Sequence, residues 1–122
     1  MAAQIVVHLE NDPPHYEPGD VMVAQVEWQL PAPPDYLQVA LVWFTRGKGN
    51  TDHRVVERLR IDGPLESAGS KRLGIQLPVS PWSFSGRLIS LLWAIEVTAY
   101  PSRTRTRCPF VMAPNREEIR LV

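Results

Sequence analysis

The sequence predicts an all-β chain, an antiparallel two-sheet β-sandwich of about seven strands. Three observations predict it. Apolar residues alternate with a period of two along segments of strand length, which buries one face of each. No long segment carries a convincing helical period. The twelve prolines in 122 residues, about twice the usual ~5%, fall mainly between the apolar segments. A residue without an N–H cannot donate in a central ladder, so proline punctuates sheets.

Taken in order, the first strand is expected at Gln4–Glu10, with Ile5, Val7 and Leu9 on one face. Glu17-Pro18-Gly19-Asp20 suits a type II turn, because proline presets φ at the second position and glycine accepts positive φ at the third. Asp20–Leu30 sets Met22, Ala24, Val26, Trp28 and Leu30 against Gln25, Glu27 and Gln29, the pattern of a half-buried strand. Pro31-Ala32-Pro33-Pro34 makes a stiff crossover. Tyr36–Arg46 is apolar on both faces and reads as a central strand. Gly47-Lys48-Gly49-Asn50 is a flexible loop. Arg54–Asp62 alternates Val55, Leu59 and Ile61 with Arg58, Arg60 and Asp62. Lys71–Val79 puts Leu73, Ile75, Leu77 and Val79 on one side. Arg87–Tyr100 puts Ile89, Leu91, Trp93, Ile95, Val97 and Ala99 against Ser90, Glu96 and Thr98. Arg105–Met112 is a weaker seventh strand, placed at an edge or bulged by Pro109. Residues 115–122 read as a tail or a short terminal strand, too short for a stable helix.

The length fits a single domain over residues 1–122. Thirteen Lys and Arg balance thirteen Asp and Glu, which argues against coating nucleic acid or acidic membrane. One cysteine excludes an intramolecular disulfide framework and a Cys-based zinc site. The apolar runs Leu37–Phe44 and Leu88–Ile95 are too short for an integral membrane helix. No targeting signal is visible at Met1–His8, so the expected location is the cytoplasm.

Three stretches go beyond composition. Tyr16-Glu17-Pro18-Gly19-Asp20-Val21-Met22-Val23-Ala24-Gln25-Val26 resembles the opening Y-x-P-G-D-x-V-x-G-x-V of arrestin-like domains, with Ala24 at the usual glycine. Leu77-Pro78-Val79-Ser80-Pro81-Trp82-Ser83-Phe84-Ser85-Gly86-Arg87-Leu88, followed by Trp93-Ala94-Ile95-Glu96-Val97, resembles their L-P-x-x-P-x-S-[YF]-x-G-x-L and W-x-[IV]-x-[VA] segments. Trp43-Phe44-Thr45-Arg46-Gly47-Lys48-Gly49-Asn50-Thr51-Asp52 is similar to a run in small bacterial members. The chain thus resembles a single-domain, sporulation-control protein M-like member of the arrestin family. That resemblance implies an immunoglobulin-like/arrestin-like sandwich and non-enzymatic adaptor or scaffold work through protein partners. The family usually carries two sandwiches in tandem, so a homodimer that imitates the pair is expected. The family's paired lysines of strand one are replaced here by Ile5-Val6-Val7-His8.

No catalytic, cofactor-binding or metal-ligating set emerges. Adjacent Asp52 and His53 point to opposite faces of a strand and do not make an acid–base pair. His8, His15 and His53 lack ligand spacing. Ser80, Ser83 and Ser85 sit on no nucleophile elbow. They belong instead to a proline-rich corner where Trp82 or Phe84 covers one end of the sandwich or meets a partner. Trp28, Trp43 and Trp93 fall on apolar faces and are read as core. Arg103, Arg105 and Arg107 alternate with Ser102, Thr104 and Thr106, a basic stripe that Arg116 and Arg120 would extend. Such a stripe either binds an anionic group or protects an edge from aggregation. Arg107 beside Cys108 would lower the thiol pKa. The candidate binding surface is Arg103, Arg105, Arg107, Trp82, Phe84, Asp52 and His53. The competing reading is a small-ligand or carbohydrate-binding sandwich using Trp82 or the 46–54 loop.

Overall fold

The computed structural model describes residues 3–47, 52–86 and 88–120. Its elements in chain order are β1 (Gln4–Leu9), β2 (His15–Tyr16), β3 (Val21–Gln29), β4 (Tyr36–Gly47), β5 (His53–Ile61), β6 (Ala68–Gln76), β7 (Phe84–Ser85), β8 (Ile89–Tyr100), β9 (Arg105–Met112) and β10 (Ile119–Arg120). The seven long strands are the seven expected from alternation, and three two-residue strands add to them. The helical content of the described residues is one 3-10 turn, Pro114–Arg116. None of it is long and apolar enough to cross a membrane.

The strands form two sheets. The smaller has the order β1-β3-β6, antiparallel throughout. In the larger, β4 lies between β5 and β8, as its two apolar faces require. The other edge of β8 pairs with β7 at Ser90 and Leu91 and with β9 from Trp93 to Thr98. The short β2 and β10 run parallel to β9 and β7. Pro109 lies where β9 is an edge, so its missing donor is tolerated without a bulge.

The core lies between the inner faces. Trp93, Met22, Val26, Leu37, Val39, Ile95, Val97 and Met112 are all fully buried there. Phe110 packs between two aromatic rings: Tyr16 meets it edge-on at 6.0 Å, and Trp93 lies tilted at 6.0 Å. Each buried indole finds an acceptor. Trp93 Nε1 donates to the Pro81 carbonyl at 2.8 Å, and Trp28 Nε1 to the Glu66 carbonyl at 3.0 Å. Trp43 is only half-buried.

The two sequence motifs meet in space. Gly19 has φ +84° and the Asp20 N–H bonds the Glu17 carbonyl at 3.1 Å, the expected type II geometry. The Asp20 carboxylate accepts from the Glu17 N–H at 3.0 Å. This turn then docks on the second motif: Gly19 N–H donates to the Pro78 carbonyl and Leu77 N–H to the Asp20 carbonyl. Further along, Ser83 is buried and joins the proline corner to β9. Its N–H donates to the Met112 carbonyl at 2.7 Å, and its hydroxyl accepts from the Met112 N–H at 3.0 Å.

Two expected faces are corrected. Val55 does not share a face with Leu59 and Ile61. A bulge opposite Leu41 and Val42 leaves Val56 unpaired and reverses the phase of β5. Val55 therefore packs outside, with Ala40, Val42 and Ala94, while Leu59 and Ile61 join the core. Val79 does not continue the buried side of Leu73, Ile75 and Leu77. β6 ends at Gln76, the Gly19 turn captures Leu77 and Pro78, and Val79 is left 70% exposed.

Candidate functional site

The register of the larger sheet defines what its outer face carries. Outward positions of β4 are Tyr36, Gln38, Ala40, Val42, Phe44 and Arg46, and they face Tyr100, Thr98, Glu96, Ala94, Leu92 and Ser90 of β8. β5 adds His53, Val55, Arg58 and Arg60, and β9 adds Arg105, Arg107 and Pro109. One row thus reads Arg58, Ala40, Glu96, Arg107 across four strands. Five arginines and a histidine share a face with two carboxylates, Glu96 and, just past the end of β5, Asp62. The outer face of the smaller sheet is different, with Gln4, Gln25, Gln29 and Gln76 among its outward residues.

Glu96 is the hub of the basic face. Its side chain is only 16% exposed, and Arg107 holds it through two nitrogens, with Nε at 2.7 Å. His53 Nε2 lies 3.7 Å from its other oxygen. The Arg107 guanidinium sits 4.5 Å over the Phe44 ring. Beneath this charged roof Ala40, Val42 and Ala94 are buried, with Phe44 and Val55 packed against them. At the far end Arg60 stacks on Tyr36 at 3.8 Å and Tyr36 stacks on Tyr100 at 4.9 Å. Arg60 also reaches Asp62 at 3.1 Å. Arg46, Arg58 and Arg105 are exposed and have no ion-pair partner among the described residues.

The structure divides the sequence candidates. His53 and Arg107 come together through Glu96, with Arg105 beside them. Arg103 is not on the stripe: it lies in the turn after Tyr100, at φ +65°, so the strand period starts only at Arg105. Arg116 and Arg120 do not extend it either. Arg120 pairs beside Ser85 at the Ser90 end of β8, whereas Arg105 faces Thr98, eight residues or roughly 27 Å along the strand. Asp52 uses its backbone, donating to Thr45 Oγ1 at 2.8 Å and accepting from the Thr45 N–H at 2.9 Å. Trp82 and Phe84 form a separate corner. Trp82 is 43% exposed beside Val79, whose carbonyl accepts its indole N–H at 2.7 Å. Phe84 is half-buried against the core. The loop residues 48–51 lie outside the described residues. Glu96, Arg58 and Phe44 were missed as site residues. Their signal was their outward parity in the strands, which register alone turns into a cluster.

Arg107 does not activate Cys108. Adjacent strand residues face opposite ways, and the Cys108 thiol turns inward, donating to the Val7 carbonyl at 3.8 Å. Burial pushes its pKa up. Burial also pushes up the Tyr16 hydroxyl, opposed by the hydrogen bond from the Asn11 N–H and aided by the Glu10 charge. Both are neutral acids with folded values above their unfolded ones, so the unfolded chain releases these protons first. Their contribution is complete below the unfolded values, ~8.5 for Cys and ~10 for Tyr, and is lost as pH rises through the folded values. The melting temperature is expected to decline from about pH 8.5 upward, and less steeply in a Tyr16→Phe, Cys108→Ala double variant. Parallel declines measured by calorimetry would contradict this.

Among the described residues no cluster of three or more His, Cys, Asp or Glu could hold a metal ion. His8 pairs with Glu27 on the smaller sheet, away from His53.

No protein-family model matches the chain, and no curated protein matches it in sequence. Among solved structures, Spo0M, the sporulation control protein from Bacillus subtilis, aligns with a TM-score of 0.70 at 13% identity, over 93% of this chain. The chain spans 50% of the length of that protein. Two packed, mainly antiparallel sheets and this superposition establish the fold as an arrestin-like β-sandwich.

Proposed function

We propose that the chain is a non-enzymatic protein-interaction module, an adaptor or scaffold of arrestin-like type working in the cytoplasm through the outer face of its larger sheet. The observation that carries this reading is the face itself. It presents exposed Arg46, Arg58 and Arg105, without ion-pair partners among the described residues, around a small apolar cluster, on a sheet whose central strands β4 and β8 are paired on both sides. Rigid sheets that display arginine and aromatic side chains suit protein recognition. The similar fold of a protein described as a sporulation control protein supports a regulatory role over a catalytic one.

Site-specific photo-crosslinking tests it. A photoreactive amino acid at Gln38, on this face, is expected to capture the same polypeptide repeatedly, and one at Gln25, on the opposite outer face, is not. Equal capture from both positions, or none from Gln38, would refute the assignment. The small-ligand alternative has one feature in its favour, a shallow depression of about 470 Å³ on the smaller sheet, lined by Gln4, Glu27, Gln29 and Ser70. Its indole, Trp28, is only 7% exposed, so no ring face is open for a sugar to stack on.

A further inference from the structure

The basic face has an internal arrangement. Arg58 and Arg60 of β5 form one row, Arg105 and Arg107 of β9 another. Between them lie the outward residues of β4 and β8, which at this level are Gln38, Ala40, Glu96 and Thr98. Two strands separate the rows, so they stand three ladder spacings apart, roughly 14 Å. That width admits one extended polypeptide. One member of each row is already engaged: Arg107 holds Glu96, and Arg60 stacks on Tyr36 and reaches Asp62. Arg58 and Arg105, one in each row, have no carboxylate among the described residues. Both are exposed.

We infer that this strip receives an extended acidic segment of a partner protein, its carboxylates taken by Arg58 on one side and Arg105 on the other. The inference rests on the interaction reading above and adds the chemistry of the partner. Charge complementarity carries it. The fixed Glu96–Arg107 pair orders the strip without consuming Arg58 or Arg105, and guanidinium groups match carboxylates in a bidentate fashion. Edge protection explains arginine on β5 and β9 taken singly. It does not explain why the outward face holds five arginines against two acids, Glu96 and Asp62, while the chain as a whole is neutral.

The test is fluorescence anisotropy with a labelled twelve-residue peptide of Glu-Glu-Thr repeats, which puts carboxylates on both sides of an extended segment, against the same peptide with Gln for Glu. The Glu peptide is expected to bind at least tenfold more tightly. An Arg58→Glu, Arg105→Glu variant should lose at least tenfold. A Lys71→Glu, Arg72→Glu variant, with the same change in net charge on the other sheet, should stay within twofold. Arg58→Gln with Arg105→Gln should lose affinity in the same direction and guards against misfolding, which circular dichroism checks. Equal binding of the two peptides, or equal losses in the two Glu variants, overturns the proposal. So does tighter binding of a twelve-base single-stranded oligonucleotide or of phosphatidylserine vesicles. So does sedimentation showing that a second copy occupies the face, as a dimer broken by Arg58→Glu, Arg105→Glu. If Gln38 crosslinks a partner while the peptides bind alike, the acidic chemistry fails and the interaction reading stands. If Gln38 captures nothing, the interaction reading itself fails.

Discussion

Trp93→Ala is expected to destabilise the fold by about 3–5 kcal/mol, a large share of the ~5–15 kcal/mol that holds a domain of this size. Trp93 has no exposed surface, and its ring packs against Phe110, which in turn meets Tyr16. Its N–H also ties β8 to the proline corner at Pro81. Removing the ring therefore opens a cavity between the sheets and releases the corner that Ser83 fastens to β9. At about 4 °C per kcal/mol for this chain length, the melting temperature should fall by roughly 12–20 °C. Trp93→Phe keeps most of the packing and loses only the hydrogen bond, so its cost should be about 1–2 kcal/mol. Denaturant titration of both variants checks the argument. Equal losses would mean that the hydrogen bond, and not the buried ring, carries the effect.

Gly69→Val should be the second most damaging exchange. Gly69 is the register partner of Trp28, and the indole lies directly over it. A Cβ at this position would stand 2.6 Å from Trp28 Cζ2 and 3.0 Å from Cε2. The ring cannot swing aside without breaking its bond to the Glu66 carbonyl. Overpacking of this kind costs about 1–3 kcal/mol, and valine brings two further methyl groups to the same contact. A double-mutant cycle isolates the cause. In a Trp28→Leu background the Gly69→Val penalty should shrink to a few tenths of a kcal/mol. If the penalty is unchanged in that background, it comes from the β6 backbone and not from the ring.

The strands were legible because each carries its burial in its own alternation, and because proline lacks the donor that a ladder needs. The two motifs were legible for a related reason: the Pro18-Gly19 turn states its dihedral angles in its residue types. What stayed hidden depends on pairing. The Val56 bulge is a mismatch between β5 and β4, and the neighbouring Val55 shows no sign of it in sequence. The start of β6 at Ala68 was missed because Ala68-Gly69-Ser70 has no apolar alternation; its partner Trp28 supplies the apolar surface there. The arginine stripe was read one residue too far because Arg103 alternates in sequence but turns in space. Glu96 looked like one polar residue on an outward face. Only the joining of β5, β4, β8 and β9 shows that it gathers His53 and Arg107.

The asymmetry between the two outer faces makes this neutral molecule a dipole. With no net charge, an excess of arginine on one broad face must be balanced by carboxylates elsewhere on the surface. Such a body feels no overall pull in a uniform field, yet it feels a torque. Near a negatively charged surface it turns before it touches, presenting the larger sheet. The range of that torque is set by ionic strength, about 8 Å at physiological salt. Encounter rates of a protein with zero formal charge would then depend on salt as if it were cationic.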